Sequence, residues 1–377
     1  MKKTVAFFNG YYLPHLGGVE RYTHNIAKKL IAKDYNVIIV TTQHEESLLN
    51  EEIIEGIKIY RLPIKNIWKE RYPFLKKNSQ FKELVNKIRT EKIDYFVANT
   101  RFHLPALLGI KLAKEQGKKA IVIEHGSSYL TLNNFVLNFG LRFVERRLIA
   151  NVKKNTDLFY GVSKEAAAWL VEFDINAKGV LSNAIETSEF DRYYRKSEKN
   201  DKIVISYSGR LQPKIKGVEM LLATFEKLSQ QFDDLELIIA GDGPLLGQMV
   251  KKYTQDNIKF LGFINHDEVM ALNAKSDVFV LMSRSEGFST AMLEAALLEN
   301  VVITTETVGG ARDMIADESY GFIIDNNEES LFNTLKSILA NKEKIGKIKT
   351  NVSKRVREQF TWDITTEKFI EVFEEIG

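Results

Sequence analysis

Glu286 and Glu294 stand eight residues apart in a stretch that begins Ser283-Arg284-Ser285-Glu286-Gly287-Phe288-Ser289 and runs on into an Ala-rich segment. The Gly287 turn exposes backbone N–H groups at the start of a helix, where an anion is stabilised. Glu294 falls among Met292, Leu293, Ala295 and Ala296, where an unpaired carboxylate is costly. It therefore needs a polar partner, and a ribose diol is one candidate. Capping or salt bridging is the other reading of both glutamates. Upstream, Gly209-Arg210 and Lys216-Gly217 bring two cations and a helix start to one place, a cradle for a diphosphate unless they are isolated surface charges. In the first half, Gly17-Gly18 precedes an amphipathic helix, and His125 follows a strand and precedes Gly126. The glycine pair suits close approach of a phosphate or a plain turn. His125 suits polarising a substrate or a structural hydrogen bond. Gly241-Asp242-Gly243 is half a dinucleotide fingerprint or a tight turn, and Gly309-Gly310 is likewise a ligand approach or a turn.

Each of these sets follows a short β-branched or aromatic run. Such runs occur at 4–8, 36–41, 57–62, 95–98, 120–124, 158–162 and 179–182, then at 202–208, 235–240, 258–261, 278–282, 301–304 and 321–324. Helix-length amphipathic stretches separate most of them. Continuous apolar runs in β-α-β order predict parallel strands buried on both faces, and about thirteen strands suit two sheets better than one. Doubly wound sheets bind ligands at the carboxyl ends of their strands, which is where all these residues fall. The charge-dense stretch 183–201 lacks apolar periodicity and marks the boundary. The predicted domains are 1–185 and 186–360, with a helix over 361–377 that packs back on the first domain.

The chain has 377 residues, 44% hydrophobic and 27% charged, the balance of a globular protein of two or three domains. No apolar run approaches the ~18 residues that span a bilayer. The absence of cysteine excludes disulfides and thiolate zinc sites and suits the cytoplasm. The net charge of +3 hides an asymmetry: residues 1–182 carry 29 Lys/Arg against 18 Asp/Glu, and the remainder 24 against 32. A basic half suggests an anionic partner: nucleic acid, a membrane surface or a phosphorylated substrate. Nucleic-acid binding needs a recognisable module, and the sequence has none.

Taken together, Gly209-Arg210-Leu211…Lys216-Gly217, Glu286-Gly287-Phe288-Ser289…Glu294 and Gly17-Gly18-Val19-Glu20 resemble the retaining nucleotide-sugar glycosyltransferases of family 4. So do the shorter Gly161-Val162-Ser163 and Ser182-Asn183-Ala184-Ile185-Glu186. The resemblance implies the α/β GT-B fold, two doubly wound Rossmann-like domains facing a central cleft. It implies that Arg210 and Lys216 neutralise the donor diphosphate and that Glu294 binds the ribose hydroxyls. Glu286 and the backbone of Gly287, Phe288 and Ser289 would hold the donor sugar and leaving phosphate. His125 would contact the sugar, Gly17 and Gly18 would close on the diphosphate, and backbone around Ile264 would contact the base. The family usually has one residue fewer between its Arg and Lys, so Lys214 stands beside Lys216 as a candidate. Where the family has a Glu after its second glycine pair, this chain has Asp313. No Asp-x-Asp pair is present, so a site without metal or other cofactor is expected, the cations and helix N-termini stabilising the leaving group.

The expected donor is a nucleotide sugar, UDP-linked by its frequency in the family, and the acceptor a glycan or lipid-linked saccharide. Two basic segments interleaved with aromatics, 64–92 and 133–154, suit an anionic membrane surface or solvated packing helices. The resulting expectation is a bacterial enzyme of surface-polysaccharide synthesis, cytoplasmic and peripheral on the inner membrane face. The alternatives are a GDP-sugar transferase, a nucleotide-sugar 2-epimerase, a glycan phosphorylase or an inactive binding protein.

Overall fold

The computed structural model describes every residue except 1, 16, 69–71, 130–134, 195–201 and 214–215, together with the side chains of 66–68, 135–136 and 342. The chain forms two compact units, one of Met1–Ser182 with Trp362–Gly377, the other of Asn183–Thr361. Both are Rossmann-like.

The first unit runs β1 (Thr4–Phe8), α1 (Gly18–Ala32), β2 (Asn36–Gln43), β3 (Glu51–Ile54), β4 (Ile57–Trp68), β5 (Tyr72–Leu75), α2 (Ser79–Thr90), β6 (Tyr95–Asn99), α3 (Leu104–Glu115), β7 (Ala120–Glu124), α4 (Phe135–Lys153), β8 (Phe159–Gly161), α5 (Lys164–Trp169) and β9 (Gly179–Val180). Its sheet order is β3-β4-β2-β1-β6-β7-β8-β9, with β5 added on β4. Among the described residues only β3 and β5 run antiparallel, both against β4. Every residue of β6 and β7 is buried, as strands covered by helices on both faces require. The strand order reverses between β1 and β6, and the carboxyl ends there form the crevice where such sheets take ligands.

The second unit runs α6 (Ser188–Tyr194), β10 (Ile203–Ser208), α7 (Val218–Leu228), β11 (Leu235–Ala240), α8 (Leu246–Lys252), β12 (Ile258–Gly262), α9 (His266–Lys275), β13 (Val278–Leu281), α10 (Thr290–Leu297), β14 (Val301–Thr305), α11 (Ala311–Met314), β15 (Phe322–Ile324), α12 (Glu328–Leu339) and α13 (Lys342–Gln359). Its sheet, β12-β11-β10-β13-β14-β15, is parallel throughout and reverses order between β10 and β13.

The last helix, α14 (Trp362–Ile376), belongs to the first unit. Its apolar stripe buries Phe369 edge-on against Phe7 (centroids 6.2 Å) and stacks Phe373 on Tyr95 (4.3 Å). Such aromatic pairs add about 0.5–1.5 kcal/mol each beyond area burial.

Two strands went unread in the sequence. β3 carries Glu51 and Glu52 on an edge, and β5 holds Pro73, so neither shows the apolar run that marked the others. The basic segment 64–92 is therefore no single amphipathic face: it supplies the end of β4, then β5 and α2.

Candidate functional site

In the second unit the strand-end glycines serve backbone packing first. Gly209 donates to Ala240 O (3.0 Å), Leu211 to Asp242 O (2.9 Å) and Gly241 to Gly262 O (2.7 Å), so the loops after β10, β11 and β12 run side by side. A Cβ on Gly241 would lie 1.9 Å from Gly209 O, and one on Gly243 would lie 2.5 Å from Leu211 O. The Gly241-Asp242-Gly243 turn is thus a buttress for the loop that carries Arg210.

That loop presents Arg210 to solvent, its guanidinium without a hydrogen bond or ion pair among the described residues. Lys216 is half-buried and ion-paired with Glu286 of the loop after β13. The ammonium has three donors, so two remain for another anion. Gly217, in the left-handed region (φ 70°), seats the start of α7 against β13, where a Cβ would lie 2.4 Å from Met282 O. Lys214 lies outside the described residues.

The Glu286 loop is clamped from the neighbouring strand. Glu286 N–H donates to Thr307 O (3.3 Å), and Glu286 O accepts from Gly309 N–H (3.1 Å). The hydroxyls of Thr305 and Thr307 both donate to Ser283 O, at 2.8 and 2.7 Å. A Cβ on Gly309 would meet Gly287 O at 1.9 Å, and one on Gly310 would meet the Phe288 ring at 2.7 Å. The second glycine pair therefore shapes this loop. One expected role changes: the Ser289 amide already donates to Gly309 O (3.3 Å), and its hydroxyl caps α10 through Met292 N–H (3.3 Å). The Phe288 amide, with no partner among the described residues, remains as a donor.

Glu294 has a protein partner that sequence reasoning missed. His266, the first residue of α9, places Nδ1 3.6 Å from Glu294 Oε1 and Nε2 2.9 Å from Glu189 Oε1. Its backbone is set by a capping box in which Asn265 and Glu268 bond each other's amides, at 3.0 and 2.8 Å. The available signal was a histidine just past a strand, after Asn265 and before Glu268. Ile264 is half-buried beside this box, next to a Phe263 that is 82% exposed.

In the first unit His125 ends a buried polar network. Its Nε2 lies 2.8 Å from Asn99 Oδ1. Asn99 Nδ2 donates to Asn9 Oδ1 (2.8 Å) and Thr23 Oγ1 (2.9 Å), and Thr23 donates to Val19 O (2.8 Å). That direction makes Nε2 the protonated nitrogen and leaves Nδ1 as an acceptor. The preceding Glu124 receives Gly126 N–H (2.9 Å) and bonds the buried Arg101 (2.5 Å), which also pairs with Glu145 of α4. Gly17 makes room for the Glu20 carboxylate, 2.5 Å from where its Cβ would lie, whereas Gly18 faces open space. Only Gly18 is thus left bare for a ligand.

Burial, with His103 adding to it, lowers the His125 pKa to about 3; burial and then Arg101 lower His103 to about 4. From the ordinary ~6.5 down to those values the unfolded chain binds protons that the folded chain refuses, so stability falls with pH. Burial raises Glu20 to about 7. Its folded form keeps a proton that the unfolded form has lost, so its contribution declines from its ordinary carboxylate pKa up to 7. The two histidines outweigh the one glutamate, and melting temperature should drop from pH 6.5 to 5. Glu20→Gln should steepen that drop and His103→Gln flatten it. Parallel melting curves for the three proteins would contradict these assignments.

Residues 189–355 match the family model of glycosyl transferases group 1, and residues 16–189 that of glycosyltransferase family 4. The phosphatidylinositol N-acetylglucosaminyltransferase GPI3 subunit of Saccharomyces cerevisiae is 28% identical over 83% of this chain and 70% of its own. Sucrose-phosphate synthase from Thermosynechococcus elongatus superposes with TM-score 0.74 at 17% identity, covering 99% of both chains. Anabaena HepE, solved with UDP and glucose, gives TM-score 0.71 at 17% identity over 99% of this chain and 100% of its own.

Proposed function

This chain, whose residues 16–355 are spanned by those two models, belongs to the GT-B glycosyltransferases of family 4 and is a hexosyltransferase, and from that premise we propose that it transfers a hexose, with retention, from a UDP-sugar to a lipid-linked saccharide. The observation that carries this is the second unit's switch point, where exposed Arg210 and Lys216 follow β10, Glu286 and the Phe288 amide follow β13, and the Lys216–Glu286 pair joins the two. Breaking the bond from the anomeric carbon to the phosphate oxygen leaves positive charge on the sugar and negative charge on the departing UDP. Arg210, Lys216 and the amide stabilise that departing charge without reorganising. Glu294, held by His266, accepts from the ribose diol, and in the first unit His125 offers Nδ1 as an acceptor for a hydroxyl. Attack comes on the face the diphosphate leaves, and a phosphate oxygen takes the acceptor's proton. HepE with UDP supports the choice of nucleotide.

Slow hydrolysis of the donor tests the chemistry without an acceptor. With an α-linked UDP-hexose, proton NMR should show the α-anomer released first. Release of the β-anomer would refute retention, and no release at all over many hours would favour a binding protein.

A lipid-linked acceptor is supported by the basic first unit and by the yeast relative, whose name gives a phospholipid as its acceptor. We place the work at the inner membrane face, in synthesis of a surface polysaccharide. Away from its buried Ile149 and Val152, α4 exposes Phe139 (75%) and Phe143 (58%), with the Arg147 guanidinium over the Phe143 ring (5.4 Å) and Arg142 exposed nearby, while Arg146 is taken up by Glu172. Such a face settles into anionic headgroups. Vesicles containing phosphatidylglycerol should pellet the protein, and Phe139→Ser with Phe143→Ser should leave it in the supernatant. Equal recovery on purely zwitterionic vesicles would count against this part. No helix among the described residues is long and apolar enough to cross a membrane.

A further inference from the structure

Between α2 and α3 of the first unit lies an open groove of about 590 Å³, within the ~300–1,000 Å³ common for small-molecule sites. Its floor is apolar: Leu75, Phe81, Leu107 and Leu108 are half-buried and pack against the core below. Its rim is cationic, with Lys77, Lys82, Arg89 and Lys111, and no carboxylate lines it. Glu115 takes up Arg89 (3.0 Å) and stands 3.7 Å from Lys111. Lys77 and Lys82 have no acidic partner among the described residues.

The placement gives the groove a direction. α2 leads into the amino end of β6, so its start, with Lys77 just before the N-cap and Lys82 in the first turn, lies at the carboxyl edge of the sheet. α3 starts there too, one residue after His103, on the edge that carries His125. An apolar trough with two unpaired ammonium groups at its upper end fits a molecule with one hydrocarbon chain and one phosphate.

We propose that this groove seats the chain of a lipid phosphate, its phosphate held by Lys77 and Lys82 and its head turned toward the His125 edge. The inference rests on the lipid-acceptor reading above and names where that acceptor is held.

Titration calorimetry with octyl phosphate, octanol and inorganic phosphate tests it on the full chain. Octyl phosphate should bind at least tenfold more tightly than either fragment. Lys77→Glu with Lys82→Glu should weaken it at least tenfold, and Leu107→Asn should weaken it with the melting temperature within a few degrees of wild type. Inorganic phosphate binding as tightly as octyl phosphate would overturn the proposal, as would unchanged binding in both variants. So would an acidic amphipathic peptide that binds the groove and excludes octyl phosphate. UDP titrated in the same samples separates the two readings. UDP binding without alkyl phosphate binding overturns the groove alone, whereas the reverse overturns the donor site and leaves the groove standing.

Discussion

Arg210→Ala should lower kcat/KM by about 10²-fold and Lys216→Ala by about 10³-fold, with thermal stability nearly unchanged in the first. Removing one preorganised group from developing charge in an enclosed site typically costs ~10²–10³ in rate. Arg210 is exposed and supports no packing, so its loss removes charge and little else. Lys216 differs because it neutralises Glu286. Its removal takes that cation from the Glu286 carboxylate beside the departing diphosphate, and repulsion is added to the missing attraction. Adding Glu286→Gln to Lys216→Ala should therefore restore part of the loss, a non-additivity expected of groups in one network. Steady-state kinetics on the four proteins decides it. Rates within threefold of wild type for Arg210→Ala would sink its role.

Gly309→Ala should be among the most damaging small substitutions in the second unit. Its Cβ would fall 1.9 Å from Gly287 O, so the Glu286 loop or the loop after β14 must move. Overpacking of this kind costs about 1–3 kcal/mol, and the movement lands on the residues that hold Lys216. A displacement near 1 Å in a positioning loop is enough for a ~10²-fold loss of rate. We expect activity to fall by that much while the rest of the unit folds, with melting lowered by a few degrees. A fully active Gly309→Ala would show that the Glu286 loop has slack that its hydrogen bonds deny.

These two predictions also mark where the sequence was readable. Strands buried on both faces announce themselves as apolar runs, so the α/β class and the alternation of strands and helices were legible. The carboxyl ends of those runs point, from sequence alone, to Arg210, Lys216, Glu286 and His125. Edge strands carry no such signal, and β3 and β5 were missed because their residues are half-exposed or interrupted by proline. Glycines were visible but their reasons were not. Gly241, Gly243 and Gly309 are bare because another loop's carbonyl lies against them, and Gly17 because Glu20 folds over it. The three loop contacts join residues 22 to 32 positions apart, beyond any local pattern, whereas Gly17 and Glu20 stand three apart. His266 was invisible for the same reason, since its meaning depends on Glu294 and Glu189 arriving from two other helices.

The central claim is that the carboxyl edge of the second unit binds a nucleoside diphosphate. Calorimetric titration of the wild-type chain with UDP, GDP, ADP and dTDP tests it most directly. The account predicts one-to-one binding of UDP, at least tenfold tighter than the others, in a heat signal that Arg210→Ala diminishes. Absence of binding by all four nucleotides, in protein that melts cooperatively, would contradict it.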